Sequence, residues 1–147
     1  MASEPRAGWP FRLWPEAYEI ARLRALPGEA LALAADGPPI ALVVGHGEVS
    51  VIAPTATVAQ LGELVESRCQ GWRAITLEVV LPPTLVGVLA AAAGALAEIE
   101  VPLVAFSSHD TDHILVPERS LGRALAALRQ ARLERLLPRR SEAAKTP

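Results

Sequence analysis

Two β-rich runs, IALVV (40–44) and EVSVIAP (48–54), are separated only by Gly45-His46-Gly47. Glycine supplies the positive φ that a tight hairpin needs, so the two runs fold back on each other as an antiparallel pair. His46, at the tip, is expected to be a solvated turn residue. An antiparallel hairpin this early in the chain restricts what the neighbouring segments can build.

Upstream, YEIARLRAL (18–26) alternates with a period of two, with one register slip at Ile20-Ala21, and predicts a half-exposed strand. A Pro27-Gly28 turn follows. EALALAA (29–35) fits either a helical turn or a short strand, and Asp36-Gly37-Pro38-Pro39 is a loop. Residues 1–15 carry Trp9-Pro10 and Trp14-Pro15 and are expected to be an irregular arm whose indoles cap the core. Downstream, Thr57 can cap a helix over VAQLGELVESR (58–68), with Val58, Leu61, Leu64 and Val65 at helical spacing. Gly71 precedes the strand WRAITLEVV (72–80). Pro82-Pro83-Thr84 then leads into the Ala-rich helix LVGVLAAAAGALAEIE (85–100). VPLVAF (101–106) and HILV (113–116) predict a second hairpin, and a last helix starts near Pro117 with Leu121, Leu125, Leu128 and Leu136 on one broad face. Its arginines, Arg119 to Arg135, are expected to form a solvated face. SEAAKTP, at the end, predicts a disordered tail.

The order is strand, short element, hairpin, helix, strand, helix, hairpin, helix. It predicts an α/β fold of the α+β kind, close to two successive βαββαβ units, over residues 12–70 and 71–137, with a tail over 138–147. Each unit has a one-sided sheet, so the two must pack side by side or against a second chain. The Ala-rich helix carries small side chains all round, so one of its faces should meet another helix or another subunit; a homodimer is expected.

Composition removes several function classes. The chain has 147 residues, 51% hydrophobic and 4% aromatic, with a net charge of −2. That balance offers no general attraction for nucleic acid or an anionic membrane. Cys69 is the only cysteine, so no internal disulfide or thiolate zinc cluster is expected, and a cytoplasmic location fits. The N-terminus is polar and acidic, so no secretory signal is expected. Residues 79–97 are uncharged, but Pro82-Pro83 interrupts them, and a buried helix after a strand is the better reading than a membrane span.

Between the last two strands lies SSHDTDH (107–113), with no hydrophobe in it. GEVSVIAP, GWRAITLEVV and LVGVLAAAAGALAEIEVPLVAFSSHDTDHILVPE, with the amphipathic helix that follows, resemble the tandem ACT-domain family of predicted amino-acid-binding proteins, which includes the ACT repeats of the animal cytosolic arginine sensor. The resemblance covers roughly residues 12–130. Gly87, the SSHDTDH turn and the strand after it carry most of it. It implies two ferredoxin-like ACT units, no catalytic activity, no cofactor, and an amino-acid effector held between units. It also implies the site: Ser50 and Val51 on one strand; Thr84, Leu85, Val86 and Gly87 at the strand-to-helix turn; and Ser108, His109 and Asp112 at the SSHDTDH turn reading the ligand side chain.

General physics supports such a site. A helix N-terminus with free N–H groups attracts a carboxylate, Gly87 lets a ligand approach the backbone, and Asp112 offers a charge to an ammonium. Asp110 is expected to be a turn cap. Arginine-binding relatives place a carboxylate just before the glycine, where this chain has Leu85 and Val86, so a neutral amino acid is expected. The alternative is a structural or partner-binding ACT module with a degenerate pocket. A metal site is disfavoured because His109 and His113 would project to one face and Asp110 and Asp112 to the other, with no second cluster to complete the ligands. A hydrolase is disfavoured because Ser108, His109 and Asp110 alternate along the chain and no nucleophile elbow is present.

Overall fold

The computed structural model describes residues 11–78 and 80–136. Trp9 and the expected tail over 138–147 lie outside the described residues. Six strands form one mixed-length sheet: β1 (Phe11–Leu23), β2 (Ala41–Gly45), β3 (Glu48–Pro54), β4 (Val65–Leu77), β5 (Val104–Ser107) and β6 (Asp112–Pro117). Their order across the sheet is β2-β3-β1-β4-β6-β5, and every neighbouring pair is antiparallel. Three helices, α1 (Thr55–Gln60), α2 (Val88–Glu98) and α3 (Leu121–Gln130), complete the α+β fold.

The long strands β1 and β4 pair along the middle, from Phe11↔Leu77 to Leu23↔Val65. The second half of β1 takes β3 on its other side, and the second half of β4 takes β6. One hairpin therefore hangs from each flank of the central pair. In the β2–β3 hairpin Gly45 faces Glu48, and the two turn residues His46 (φ 52°) and Gly47 (φ 74°) both have positive φ. Mirror-image turns of that kind match the strand twist.

Alternation along the strands sorts the core into two layers. Val51 and Ala53 of β3 pack with Val58 and Leu61 near α1. Ile75, Ile114 and Val116 pack with Ala92, Leu96, Ala124 and Leu128 of α2 and α3. The residues between them, Ile52, Ala74 and Leu115, turn to the opposite face and join Trp14 and Tyr18. The helices therefore cover one face, and the other carries an aromatic-edged apolar floor. Burying side chains such as Ile114 or Leu128 contributes roughly 1.5–3 kcal/mol each.

Several local expectations are corrected. The helix expected over 58–68 stops at Gln60. Gly62 turns left-handed (φ 54°) in a 3-10 turn over Gly62–Leu64, and Val65 already belongs to β4. The helical spacing of Leu64 and Val65 arises because both pack against the α1 cluster from a turn and a strand. Thr57 lies inside α1, which begins at Thr55. The irregular arm expected to reach Pro15 ends earlier, because β1 runs from Phe11. A register shift between Leu13 and Ala17 absorbs Pro15, and Arg73 Nη2 donates to the Trp14 carbonyl at 2.9 Å. EALALAA holds only a 3-10 turn at Gly28–Ala30. Gly71 (φ 84°), expected to precede a strand beginning at Trp72, lies within the longer strand β4, which starts at Val65. The Ala-rich helix begins at Val88, and its Ala92 and Leu96 meet Ala124 and Leu128 of α3.

Candidate functional site

The segment SSHDTDH is the β5–β6 turn. Ser107 and Asp112 form the last ladder pair, and inside them the Ser108 N–H donates to the Thr111 carbonyl at 2.9 Å. Two further bonds tie this turn to the connection after β4. The Thr111 hydroxyl donates to the Leu77 carbonyl, and the Leu81 N–H donates to the Asp110 carbonyl at 2.6 Å. The connection and the turn thus hold each other, and a pocket of about 340 Å³ lies between them.

One wall of that pocket is the start of α2. Gly87 caps it with φ 99°, and no side chain caps the helix. The first bond of the helix runs from Ala91 N–H to Gly87 O at 2.9 Å. The amides of Val88, Leu89 and Ala90 therefore belong to the unsatisfied first turn, and all three residues line the pocket. Leu81 and Leu85 supply apolar wall while also packing against the helix-side core. Opposite stands Asp112, half-buried. Its Oδ1 accepts from Ser107 Oγ at 2.6 Å, which uses one of its two oxygens. The arrangement offers hydrogen-bond donors at one end, a carboxylate at the other and apolar surface between.

The expected site residues divide into two groups. Leu85, Gly87, Ser108, His109 and Asp112 surround this one pocket. Thr84 and Val86 sit exposed on the same turn without lining it, Val86 at 85% exposure. Ser50 and Val51 are not brought to it. They lie on β3, across the central pair, with their ladder positions occupied by β1 on one side and β2 on the other. Val51 is fully buried under α1, and Ser50 donates its hydroxyl to Glu48. Asp110 does not act as the turn cap. Its carboxylate pairs with His109 Nδ1 at 2.7 Å, both side chains being exposed.

A second, open cleft of about 1160 Å³ lies on the helix-free face, between the loop over 33–40 and the β5–β6 end of the sheet. Tyr18 anchors that loop by donating to the Pro39 carbonyl at 2.8 Å. Burial, with the charge of Glu16 added, pushes the Tyr18 hydroxyl far above the ordinary phenol range. Arg12 and Trp14 line the cleft, with the guanidinium 3.9 Å from the indole centroid. Ser107, Ser108 and His113 also line it. Sequence reading gave His113 no role beyond that of a candidate metal ligand. Its buried ring contacts Thr76 and Ser108, and burial pulls its proton affinity below the ordinary imidazole range against the opposing charge of Asp112. Its alternation with Leu115 on the inward face was the signal available. Among the described residues no three metal-ligating side chains converge, and no helix is long and apolar enough to cross a membrane.

Residues 68–130 match the family model described as ACT domain. No curated protein matches the chain. Among solved structures, a protein from Agobacterium tumefaciens is 21% identical with a TM-score of 0.68, over 87% of this chain and 90% of that one. A protein of unknown function from Vibrio cholerae, described as a possible transport protein, is 26% identical with a TM-score of 0.66, over 80% and 85%. The ligand-free regulatory subunit of aspartate kinase from Thermus thermophilus is 17% identical with a TM-score of 0.60, over 86% and 99%.

Proposed function

We propose that this chain is a non-enzymatic regulatory module that binds an amino acid, built from two ferredoxin-like ACT units side by side, in the manner of the tandem ACT family to which the arginine sensor belongs. The topology supports this reading if each central strand serves both units. The second half of β1, then β2, β3, α1 and the first half of β4 make the first unit. The second half of β4, then α2, β5, β6 and α3, with the first half of β1 as closing strand, make the second. The boundary near residues 70 and 71 then falls at the Gly71 irregularity. The ACT match over residues 68–130 coincides with the second unit, and the fold is shared with a regulatory subunit.

The observation that carries the function is that the uncapped start of α2 and Asp112 face one pocket. A free amino acid fits that polarity: its carboxylate at the Val88–Ala90 amides, its ammonium at Asp112, and its side chain against Leu81 and Leu85. Ser108 and His109 stand at the rim, and Gly87 keeps the helix entrance open. A neutral side chain is favoured, because Asp112 is engaged by the ammonium and an unpaired guanidinium against leucines is costly. The rival reading, a partner-binding module with a degenerate pocket, is favoured by the distance of Ser50 and Val51 from the site.

We place the module in the cytoplasm as a homodimer. Strand β2 is a sheet edge, with Leu42, Val43 and Val44 exposed at 44%, 59% and 56%, and such an edge is a template for a second copy. A thermal-shift screen of the standard amino acids tests the function. A ligand at about 100 times its dissociation constant stabilises by about 2.7 kcal/mol, and a screen without any shift at millimolar ligand removes the proposal.

A further inference from the structure

Ser107 and Ser108 line both cavities, the pocket at α2 and the open-face cleft. His113 sits beside them at 7% exposure, cross-strand from Thr76 on β4 and Phe106 on β5. The hydrogen bonds around it run in one direction. An indole can only donate, so Trp14 Nε1 gives its proton to Thr76 Oγ1 at 2.8 Å. The Thr76 hydroxyl can then donate to His113 Nδ1 at 2.9 Å. A neutral ring that accepts at Nδ1 carries its proton on Nε2, which lies 3.2 Å from Ser108 Oγ. The Ser108 hydroxyl donates onward to the Thr111 carbonyl at 3.2 Å. With the Nε2–H tautomer every proton along this chain has an acceptor. A second proton on Nδ1 would face Thr76 Oγ1, which already accepts from Trp14, and would leave the Thr76 proton with no acceptor along the chain.

We propose that His113 is the positioning residue of the wall between the two cavities. As the neutral Nε2–H tautomer it holds the Ser108 hydroxyl; its protonation adds a proton at Nδ1, which loosens Thr76 and Trp14 at the cleft, while Nε2–H keeps and strengthens its hold on Ser108 at the α2 pocket. The consequence for ligand binding rests on the pocket assignment above; the consequence for the hydrogen-bond chain does not. The charged groups around the ring are Asp112 on its own strand, the exposed His109–Asp110 pair in the turn, Arg12 of β1 ion-paired with Glu78 of β4, and Asp36 on the loop walling the cleft. Burial outweighs Asp112 in keeping the ring neutral.

The test is imidazole nitrogen NMR of the full chain over a pH series, with the Trp14 indole and Ser108 amide resonances followed in parallel. The expected result is a single Nε2–H tautomer for His113 that protonates below the ordinary imidazole range, with the Trp14 and Ser108 resonances moving at the same midpoint. His113→Gln should abolish both movements. Should that variant not fold, Ser108→Ala at the exposed end of the chain should shift the Nε2–H resonance and leave the Trp14 indole in place. An Nδ1–H tautomer, or Trp14 and Ser108 resonances indifferent to the His113 titration, overturns the proposal. With L-leucine as probe, affinity should weaken by about three- to tenfold as His113 protonates, because the imidazolium competes with the ligand ammonium for the charge of Asp112, and stay flat in His113→Gln. Leucine binding with the same pH profile in wild type and variant also overturns it. The expected spectra without leucine binding would support the positioning role and count against the assigned function.

Discussion

The Leu81 amide donates to the Asp110 carbonyl at 2.6 Å. This bond joins the connection after β4 to the β5–β6 turn, and with the Thr111–Leu77 bond it gives the pocket two walls of fixed spacing. The fastening lies in backbone groups and one threonine. Thr111→Val should therefore lower stability by about 0.5–1.5 kcal/mol through the lost bond to Leu77. Asp110→Ala, which removes an exposed pair with His109, should stay within about 0.5 kcal/mol of wild type. Urea denaturation of the two variants measures both, and the reverse order would mean that the Asp110 side chain, not Thr111, holds the turn.

Gly87 sits at φ 99° at the head of α2, and a Cβ built there meets no other atom within 4 Å. Its substitution is therefore a conformational cost and not a clash. Gly87→Ala should lose about 1–2 kcal/mol of stability and perturb the α2 amides that the ligand is proposed to use. A melting temperature equal to wild type would show that the positive φ is not required.

The pH dependence of stability follows from His113. Its proton affinity in the fold is lowered from the ordinary value of 6.5. Between the folded value and 6.5 the unfolded chain binds more protons, so stability rises with pH across that window. His113's contribution is complete above the window and is lost progressively as pH falls through it. Urea denaturation at a series of pH values should show this slope in wild type and a flatter one in His113→Gln. Asp112→Asn should extend the window to lower pH, because the charge of Asp112 opposes the shift. Parallel slopes in wild type and His113→Gln would contradict this.

Much of the fold is legible in local sequence, and the rest depends on pairing. The Gly45–Gly47 hairpin is visible because two positive φ values can be supplied only by a short list of residues. The slip expected at Ile20-Ala21 is not a break in β1, whose register with β3 is continuous: Tyr18 and Ile20 face the open-face cluster while Ala21 and Leu23 face the α1 cluster. The sequence spacing of Val58, Leu61, Leu64 and Val65 misleads, because a helix, a turn and a strand all lean on one cluster. That β1 and β4 each run across the whole sheet is not written in either strand, since it is set by partners far away in the chain. The same holds at the site. The proposed roles of Gly87 and Asp112 can be read from local pattern, whereas the role proposed for His113 needs Thr76 and Trp14, themselves 62 residues apart.

The exposed edge of β2 predicts assembly. Light scattering at micromolar concentration should give a dimer, and Val43→Lys, a charge placed on the edge strand, should shift it to monomer. A wild-type monomer removes the dimer and leaves the pocket untouched. A dimer indifferent to Val43→Lys places the interface elsewhere.

The most direct test of the central claim is calorimetric titration of L-leucine, L-valine, L-alanine and L-arginine into wild type and Asp112→Ala. The account predicts saturable one-to-one binding of at least one neutral amino acid and weaker binding of arginine. It also predicts a loss of about ten- to hundredfold in affinity in Asp112→Ala, the range for a charge-assisted hydrogen bond. Among the described residues the Asp112 side chain is hydrogen-bonded to Ser107 alone, so the variant's ligand-free melting temperature should stay close to wild type. Arginine as the tightest ligand, equal affinity in Asp112→Ala, or no saturable heat from any of the four would contradict it.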